Sequence, residues 1–193
     1  MDDRKIKELL ALAVEYRLEI FELLKCQNAE EIKKGIFALE DSLCNSFAEK
    51  NLFRFGSTGP KVRSLKLSFE NGYINLRVDA EVEKIGPLHA EYMVEINDLR
   101  FGQDAQQLYA TFTESLSSGG NMLQQAALKA ATVGGTALGK VTKLAKIDFV
   151  YVDGNRLMVD FSKVDKIKKA ADSLELTYRS CENGLLKLQF QLV

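Results

Sequence analysis

Few residues in this chain are of types that could carry out acid–base, nucleophilic or metal chemistry. His89 is the single histidine among the 193 residues, which excludes a multi-histidine metal site. A Ser-His-Asp or Cys-His nucleophile would have to recruit this one residue. Because His89 follows Pro87 at the start of an expected strand, we predict a position on the surface or at a strand edge.

Four glutamates could be imagined as paired carboxylates for general acid–base catalysis, namely Glu81, Glu83, Glu91 and Glu95. They fall on the polar phase of expected strands whose alternate residues are apolar. We therefore expect these carboxylates on a solvated sheet surface.

The glycine-containing segment GGTALGK, residues 134–140, resembles a phosphate-binding loop only superficially. It lacks the Gly-x-x-x-x-Gly-Lys-Ser/Thr spacing, and it interrupts an expected helix instead of following a strand. The sequence also contains no Cys-x-x-Cys pair, no His-Glu-x-x-His element and no acidic calcium loop. It therefore predicts no catalytic residue, no cofactor and no bound metal, and we expect a protein that is not an enzyme.

The net charge, the N-terminal residues and the cysteines indicate which partners and which cellular location to expect. A formal net charge of -1 argues against wholesale nucleic-acid binding. The first residues mix charges with apolar side chains, so we expect no secretory signal, and no apolar run approaches the roughly 18 residues of a membrane span. The odd set of three cysteines lacks metal-ligand spacing, which predicts reduced, largely buried thiols in a cytoplasmic protein (Cys26, Cys44 and Cys181).

The N-terminal residues 1–56 are predicted to form a pair of antiparallel helices. The first runs from Asp2 to about Cys26, with apolar residues on more than one side. The second begins at Asn28, an N-cap with Glu31 three residues on, and continues through Phe47. The extra apolar residues of the first helix predict a docking face for a partner or a second copy, hence a homodimer (Leu9, Leu12, Phe21 and Leu23).

Residues 60–193 change to the alternating pattern of half-buried strands. Three turn signals separate pairs of strands: Asn71-Gly72, Asp153-Gly154 and Asn183-Gly184. A short basic helix is expected from Ser162, in SKVDKIKKAAD. We predict about eight antiparallel strands with one wet face, in a chain that folds as one cooperative domain.

The segment from about residue 118 to 146 is predicted to be a long helix whose buried face is unusually small. Its centre is Ala127, Ala130, Gly134 and Ala137, and two mid-helix glycines should each cost about 0.5–1 kcal/mol relative to alanine. Either another backbone approaches closely, as in a curved sheet wrapped on the helix, or an apolar ligand fills a gap that would be costly to leave empty. A kink at Gly134-Gly135 is compatible with both.

The ligand hypothesis predicts a site between this helix and the inner face of the sheet. Its residues are Leu123, Ala127, Ala130, Gly134 and Ala137 on the helix, facing Leu76, Val78, Tyr92 and Val94. A local excess of lysine predicts contact with an anionic partner such as lipid head groups, hence a peripheral membrane contact; the alternative is that these lysines only solubilise exposed faces. The lysines of this patch are Lys129, Lys140, Lys143, Lys166 and Lys169.

The order of elements resembles the tubular lipid-binding superfamily, which includes the bactericidal permeability-increasing type domains and small bacterial phospholipid-binding relatives. The segments that carry the resemblance are LKLSFENGYINLRVDAEVEKIGPLHAEYMVEINDLRFG and IDFVYVDGNRLMVDFSKV. The resemblance implies a strongly bent antiparallel sheet wrapped on a long helix, with lipid chains between them. We therefore expect an α+β protein that binds or carries a lipid-like ligand without catalysis; the alternative is a protein–protein assembly module that uses the N-terminal helices.

Overall fold

The computed structural model describes residue 14 and residues 17–25, 27–51, 61–82, 86–120, 124–126, 133–144, 147–164 and 168–192. The N-terminal part contains helix α1 (Arg17–Lys25), helix α2 (Ala29–Lys33), strand β1 (Ile36–Glu40) and helix α3 (Asp41–Asn51). The prediction of one helix from Asn28 to Phe47 is therefore wrong over residues 36–40.

The predicted cap at Asn28 is present, but the helix that it starts is short. Asn28 Oδ1 accepts hydrogen bonds from the backbone N–H of Glu30 at 2.8 Å and of Glu31 at 3.4 Å. The chain then turns at Gly35, where φ is +72° and a Cβ would lie 2.8 Å from the carbonyl oxygen of Phe190. Only glycine fits this position, because the backbone is left-handed and the neighbouring strand is close.

In the described part of the chain, nine strands form a single sheet in which every pair is antiparallel. The order is β1-β9-β8-β4-β5-β7-β6, and a β2-β3 hairpin pairs with β4 beside this path. The strands after β1 are β2 (Lys61–Phe69), β3 (Ile74–Val82), β4 (Gly86–Phe101), β5 (Gln106–Ser118), β6 (Val150–Asp153), β7 (Arg156–Asp160), β8 (Leu174–Glu182) and β9 (Leu185–Leu192). The prediction of an antiparallel sheet with a few helices is confirmed.

The three predicted hairpins are present, and two of them meet at their tips. Phe69 pairs with Ile74, Asp153 with Arg156 and Glu182 with Leu185. The backbone N–H of Gly72 donates to the carbonyl oxygen of Cys181, and that of Gly184 to the carbonyl oxygen of Phe69, each at 2.8 Å. These bonds tie the β2-β3 hairpin to the β8-β9 hairpin.

The long helix predicted over residues 118–146 is not continuous, which corrects the sequence analysis. Strand β5 extends to Ser118, residues 133–135 form a turn, and helix α4 begins only at Ala137 and ends at Leu144. Gly134 is exposed in this turn, has φ of +80° and would meet nothing within 4 Å if it carried a Cβ. Glycine is favoured at this position because the backbone is left-handed, not because a neighbouring element crowds the surface of a helix.

The core consists of two clusters on the sheet. One contains Leu99, Phe101, Leu188 and the fully buried Ala171. The segment predicted as a basic helix from Ser162 contains 3₁₀ turns at Phe161–Lys163 and Lys169–Asp172, and the Asp160 carboxylate caps the first of them. Lys168 between them is α-helical and its N–H donates to the carbonyl oxygen of Val164 at 3.0 Å, while residues 165–167 lie outside the described residues. The second cluster contains Ala90, Tyr92 and Phe112, and helix α4 packs on it.

Candidate functional site

Helix α4 is held on the sheet by a carboxylate from strand β5. Glu114 Oε1 and Oε2 accept hydrogen bonds from the backbone N–H groups of Ala137 and Leu138, each at 2.9 Å. Thr136 Oγ1 accepts the N–H of Gly139 at 3.2 Å. The first three N–H groups of the helix, which have no partner inside the helix, are therefore all satisfied, and the carboxylate also opposes the positive end of the helix dipole.

The same carboxylate contacts the buried phenol on the neighbouring strand. Tyr92 lies opposite Glu114 in the β4-β5 register. Burial raises the pKa of Tyr92 above its ordinary value of 10.0, and the charge and hydrogen bond of Glu114 raise the pKa further. Tyr92 therefore stays protonated, and its hydroxyl donates a hydrogen bond to the Glu114 carboxylate, so that this polar pair inside the apolar cluster is satisfied.

One glycine of α4 does make the close approach that small residues allow. A Cβ on Gly139 would lie 3.3 Å from Cγ1 of Val152 on β6 and 3.2 Å from Oγ1 of Thr136. Leu138 packs against the cluster of Tyr92 and Phe112 beside it. Side-chain contacts therefore explain the small residue at Gly139, whereas the close approach of another backbone to the centre of a long helix stays a prediction.

Beside the contact of α4 with β6 lies an open cavity with a volume of about 790 Å³, and apolar atoms make up most of its lining. We call it the β6 groove. The described residues that line it come from α4, the segment after it and strands β4 to β7: Asn97, Tyr109, Ala110, Thr111, Thr142, Lys143, Ile147, Asp148, Val150, Tyr151, Val152, Asp153, Arg156, Leu157 and Met158. Every residue of β6 is among them.

Both signs of charge are present around the β6 groove. Lys143, Asp148, Asp153 and Arg156 are exposed, and none of them forms an ion pair with another described residue. Lys163 donates hydrogen bonds to the carbonyl oxygen of Asp148 at 3.0 Å and to the Tyr151 hydroxyl. The groove thus combines an apolar floor with charged side chains that are free to meet a polar group.

None of the described ligand-site residues predicted from the sequence lines the β6 groove. Leu76, Val78, Tyr92 and Val94 do come together, but they form part of the second core cluster. Ala137 is half-buried at the start of α4 and Gly134 is exposed; neither is among the described residues that line the groove. Leu123, Ala127 and Ala130 lie outside the described residues.

The predicted lysine patch is likewise only partly described. Lys143 is exposed and lines the β6 groove, and Lys140 on the same helix donates to the carbonyl oxygen of Val133 at 2.7 Å. Lys169 lies in the second 3₁₀ turn. Lys129 and Lys166 fall outside the described residues.

His89 lies on the exposed surface of β4 in a row with two side chains of β3 and β2. Its Nδ1 is 2.6 Å from Asp79 Oδ1, and Ser64 donates to Asp79 Oδ2 at 2.5 Å. These two bonds, that of Ser64 foremost, lower the pKa of Asp79. Because the carboxylate lies between the serine and the imidazole, Ser64 makes no contact with the imidazole of the kind that a nucleophilic triad requires.

Two of the three cysteines are described, and both are free thiols. Cys44 is half-buried, and its pKa is raised from 9.0 by burial and by the charge of Asp41. Burial raises the pKa of Cys181 to about 11. Both thiols therefore stay protonated near neutral pH, and protonated thiols react slowly with electrophiles. Cys26 lies outside the described residues.

Within the described residues, no group of three His, Cys, Asp or Glu side chains could hold a metal ion. No helix in the same ranges is long and apolar enough to cross a membrane. No protein-family model, no curated protein and no solved structure matches this chain.

Proposed function

We propose that this protein is a non-enzymatic binding protein that takes an elongated apolar or amphipathic, lipid-like ligand into the β6 groove. The observation that carries the proposal is the groove itself, with a volume of about 790 Å³ and a mostly apolar lining contributed by α4, the segment after it and strands β4 to β7. Pockets for small ligands in proteins typically have volumes of about 300–1,000 Å³ and combine apolar walls with a few polar groups.

The proposal keeps the ligand class expected from the sequence but moves the site. The residues around Tyr92 are packed as core, whereas Ile147, Val150 and Met158 line open space. An acyl chain would lie along these apolar side chains, and its polar end would meet Lys143 or Arg156. A cytoplasmic location, contact with a membrane surface, a strongly curved sheet wrapped on a helix and kinship with the tubular lipid-binding superfamily belong to the same proposal.

The test uses a substitution that fills the groove and a matched one that does not. Met158 on β7 lines the groove, whereas Met93 is an exposed methionine on β4 that does not line it. We expect Met158→Trp to weaken binding of a fluorescent fatty acid at least tenfold, and Met93→Trp to leave it unchanged. Because the natural chain contains no tryptophan, each variant also carries a single fluorescent reporter at a known site. Absence of saturable binding by the wild-type protein would refute the proposal.

A second candidate function, assembly through the N-terminal helices, has its own supporting observation. On α1, Phe21 is 58% exposed and Leu24 is 60% exposed. Apolar side chains of this size on one short helix favour a contact with another protein or a second copy. Leu9 and Leu12, which the sequence analysis placed on the same docking face, lie outside the described residues. Light scattering of the wild-type protein and of a Phe21→Glu variant tests this function: a concentration-dependent mass increase that the substitution abolishes would support it.

A further inference from the structure

Two open edges of the sheet are closed by side-chain amides that imitate a neighbouring strand. At β1, Gln27 Nε2 donates to the carbonyl oxygen of Ala38 at 2.7 Å, and the N–H of Ala38 donates to Gln27 Oε1 at 3.0 Å. At β2, Asn45 makes the same pair of bonds with the backbone of Leu67, both at 2.8 Å. Unpaired edges otherwise invite pairing with another chain, so each amide removes a template for such pairing.

Within the described residues, no side-chain amide bonds to the backbone at the outer edge of β6. Asp153 and Arg156 flank a two-residue loop, and the N–H of Asp160 bonds to the carbonyl oxygen of Phe149 at 2.8 Å. Hydrogen-bonded pairs alternate along an antiparallel ladder, so Tyr151 and Asp153 bond to β7 while Val150 and Val152 direct their N–H and C=O groups away from it. No described residue bonds to these outward groups.

We propose that β6 pairs antiparallel with β6 of a second copy of this chain. The twofold axis passes beside Tyr151, so that Val150 exchanges both backbone hydrogen bonds with the second copy's Val152, and Val152 with the second copy's Val150. Such an interface is self-complementary, as a symmetric dimer requires. The inference goes beyond the proposed function, because it does not depend on any ligand in the groove.

The residues that this register brings together are compatible in charge and polarity. Valine faces valine, and Tyr151, which is 42% exposed, faces the second copy's Tyr151. Asp153 faces Phe149 and Asp148 faces Gly154, so like charges are not directly opposite one another. Aromatic and β-branched pairs across strands are stabilising, whereas directly opposed like charges are not. Because β6 has only four residues, we expect a reversible dimer that dissociates on dilution.

Analytical ultracentrifugation across a wide concentration range tests the proposal on the full chain. We expect the wild-type protein to shift reversibly from monomer to dimer, and Val152→Pro to remain monomeric. The substitution removes an outward N–H that β7 does not use, and proline is tolerated at such edge positions. Unchanged circular dichroism and a cooperative thermal unfolding transition like that of the wild type show that the variant is folded.

Amide hydrogen exchange supplies a measurement that needs no variant. Exchange at the N–H groups of Val150 and Val152 should slow as the protein concentration rises, while exchange at an exposed turn such as Gly154 should not. A wild-type protein that stays monomeric at the highest concentration would overturn the proposal. So would a dimer that Val152→Pro leaves intact and Phe21→Glu abolishes, because its interface would then be α1.

Discussion

The backbone N–H of Ala137 donates a 2.9 Å hydrogen bond to Oε1 of Glu114, so a residue in the middle of the sheet caps a helix that begins more than twenty residues later in the chain. Glu114 lies on the face of β5 that also carries Ala110 and Phe112, where alternation favours an apolar residue. Glu114 is the exception to this alternation. By capping α4 it fixes the position of the helix, which forms one wall of the β6 groove.

Removing this cap should destabilise the protein. We expect Glu114→Ala to lower the free energy of unfolding by about 1–2 kcal/mol, since it leaves two helix N–H groups and the Tyr92 hydroxyl without an acceptor. Glu114→Gln, which keeps one acceptor oxygen, should cost less. Denaturant unfolding measures both, with Glu95→Ala on the exposed side of β4 as a control expected to stay within about 0.5 kcal/mol of wild type. Equal stability of Glu114→Ala and the control would contradict the capping role.

Stability should fall in alkaline solution. The pKa of Cys181 rises to about 11 in the folded protein from an ordinary value of 9.0, and the pKa of Tyr92 rises above 10.0. The unfolded chain therefore loses these protons first, and the stabilisation is complete below about pH 9 and decreases as the pH rises through the folded-state values. Unfolding free energies measured from about pH 7 to about pH 11 should show the decline. A double variant, Cys181→Ala with Tyr92→Phe, should show a flatter profile; an identical decline would assign the effect to other groups.

The exposed turn before α4 should be sensitive to any side chain, despite the space around it. Gly134 has φ of +80° and open surroundings, so Gly134→Ala should lower the free energy of unfolding by about 1–2 kcal/mol through backbone strain alone. Asparagine tolerates this conformation better, and Gly134→Asn should be the milder change. If thermal unfolding ranks alanine as equal to or better than asparagine here, strain is not the reason for the glycine.

Gly139 should respond to side-chain size instead. Its alanine variant gains about 1 kcal/mol of helix propensity, which offsets the tight contacts of the new Cβ at 3.2 Å and 3.3 Å. Gly139→Leu, which cannot fit between α4 and Val152, should cost about 1–3 kcal/mol. Denaturant unfolding of the two variants compares these effects, and a leucine variant as stable as the alanine variant would show that α4 does not lie close to β6.

The two amides at the sheet edges should protect against both unfolding and association. Gln27→Ala or Asn45→Ala removes two hydrogen bonds to strand backbone, at about 0.5–1.5 kcal/mol each. Each variant should therefore unfold at lower denaturant concentration and scatter more light at high protein concentration. Gln125→Ala, at an exposed helical residue, is the matched control and should change neither.

The sequence was informative where the signal is local. The hairpins at Asn71-Gly72, Asp153-Gly154 and Asn183-Gly184 combine turn residues with alternating neighbours, and all three are present. The sequence does not predict strand β1, because Ile36, Phe37 and Leu39 are apolar on both strand phases, and Ile36 and Leu39 also continue the helical stripe from Ile32. Pairing of residues 36–40 with β9 decides between the two, and this contact joins distant parts of the chain.

The candidate site also depends on contacts between distant parts of the chain, so hydrophobic periodicity alone could not reveal it. The β6 groove is lined by short segments of α4, β5, β6 and β7, and none of these segments alone resembles a ligand motif. Among the described glycines of residues 126–146, Gly139 does lie where α4 meets β6. However, Gly134 and Gly139 are glycines for different reasons, one conformational and one steric, and a sequence pattern does not distinguish these reasons.

The pairing of β1 with β9 has a consequence for biosynthesis. Residues 36–40 leave the ribosome early, but their partner residues 185–189 belong to the last strand of the described sheet to be synthesised. Until then the apolar side chains of Ile36 and Phe37 have no strand beside them, and such nascent segments are prone to misassociate. We therefore expect β1 to find its partner only after residues 185–189 have left the ribosome, and the yield to depend on chaperones that shield residues 36–40 until then.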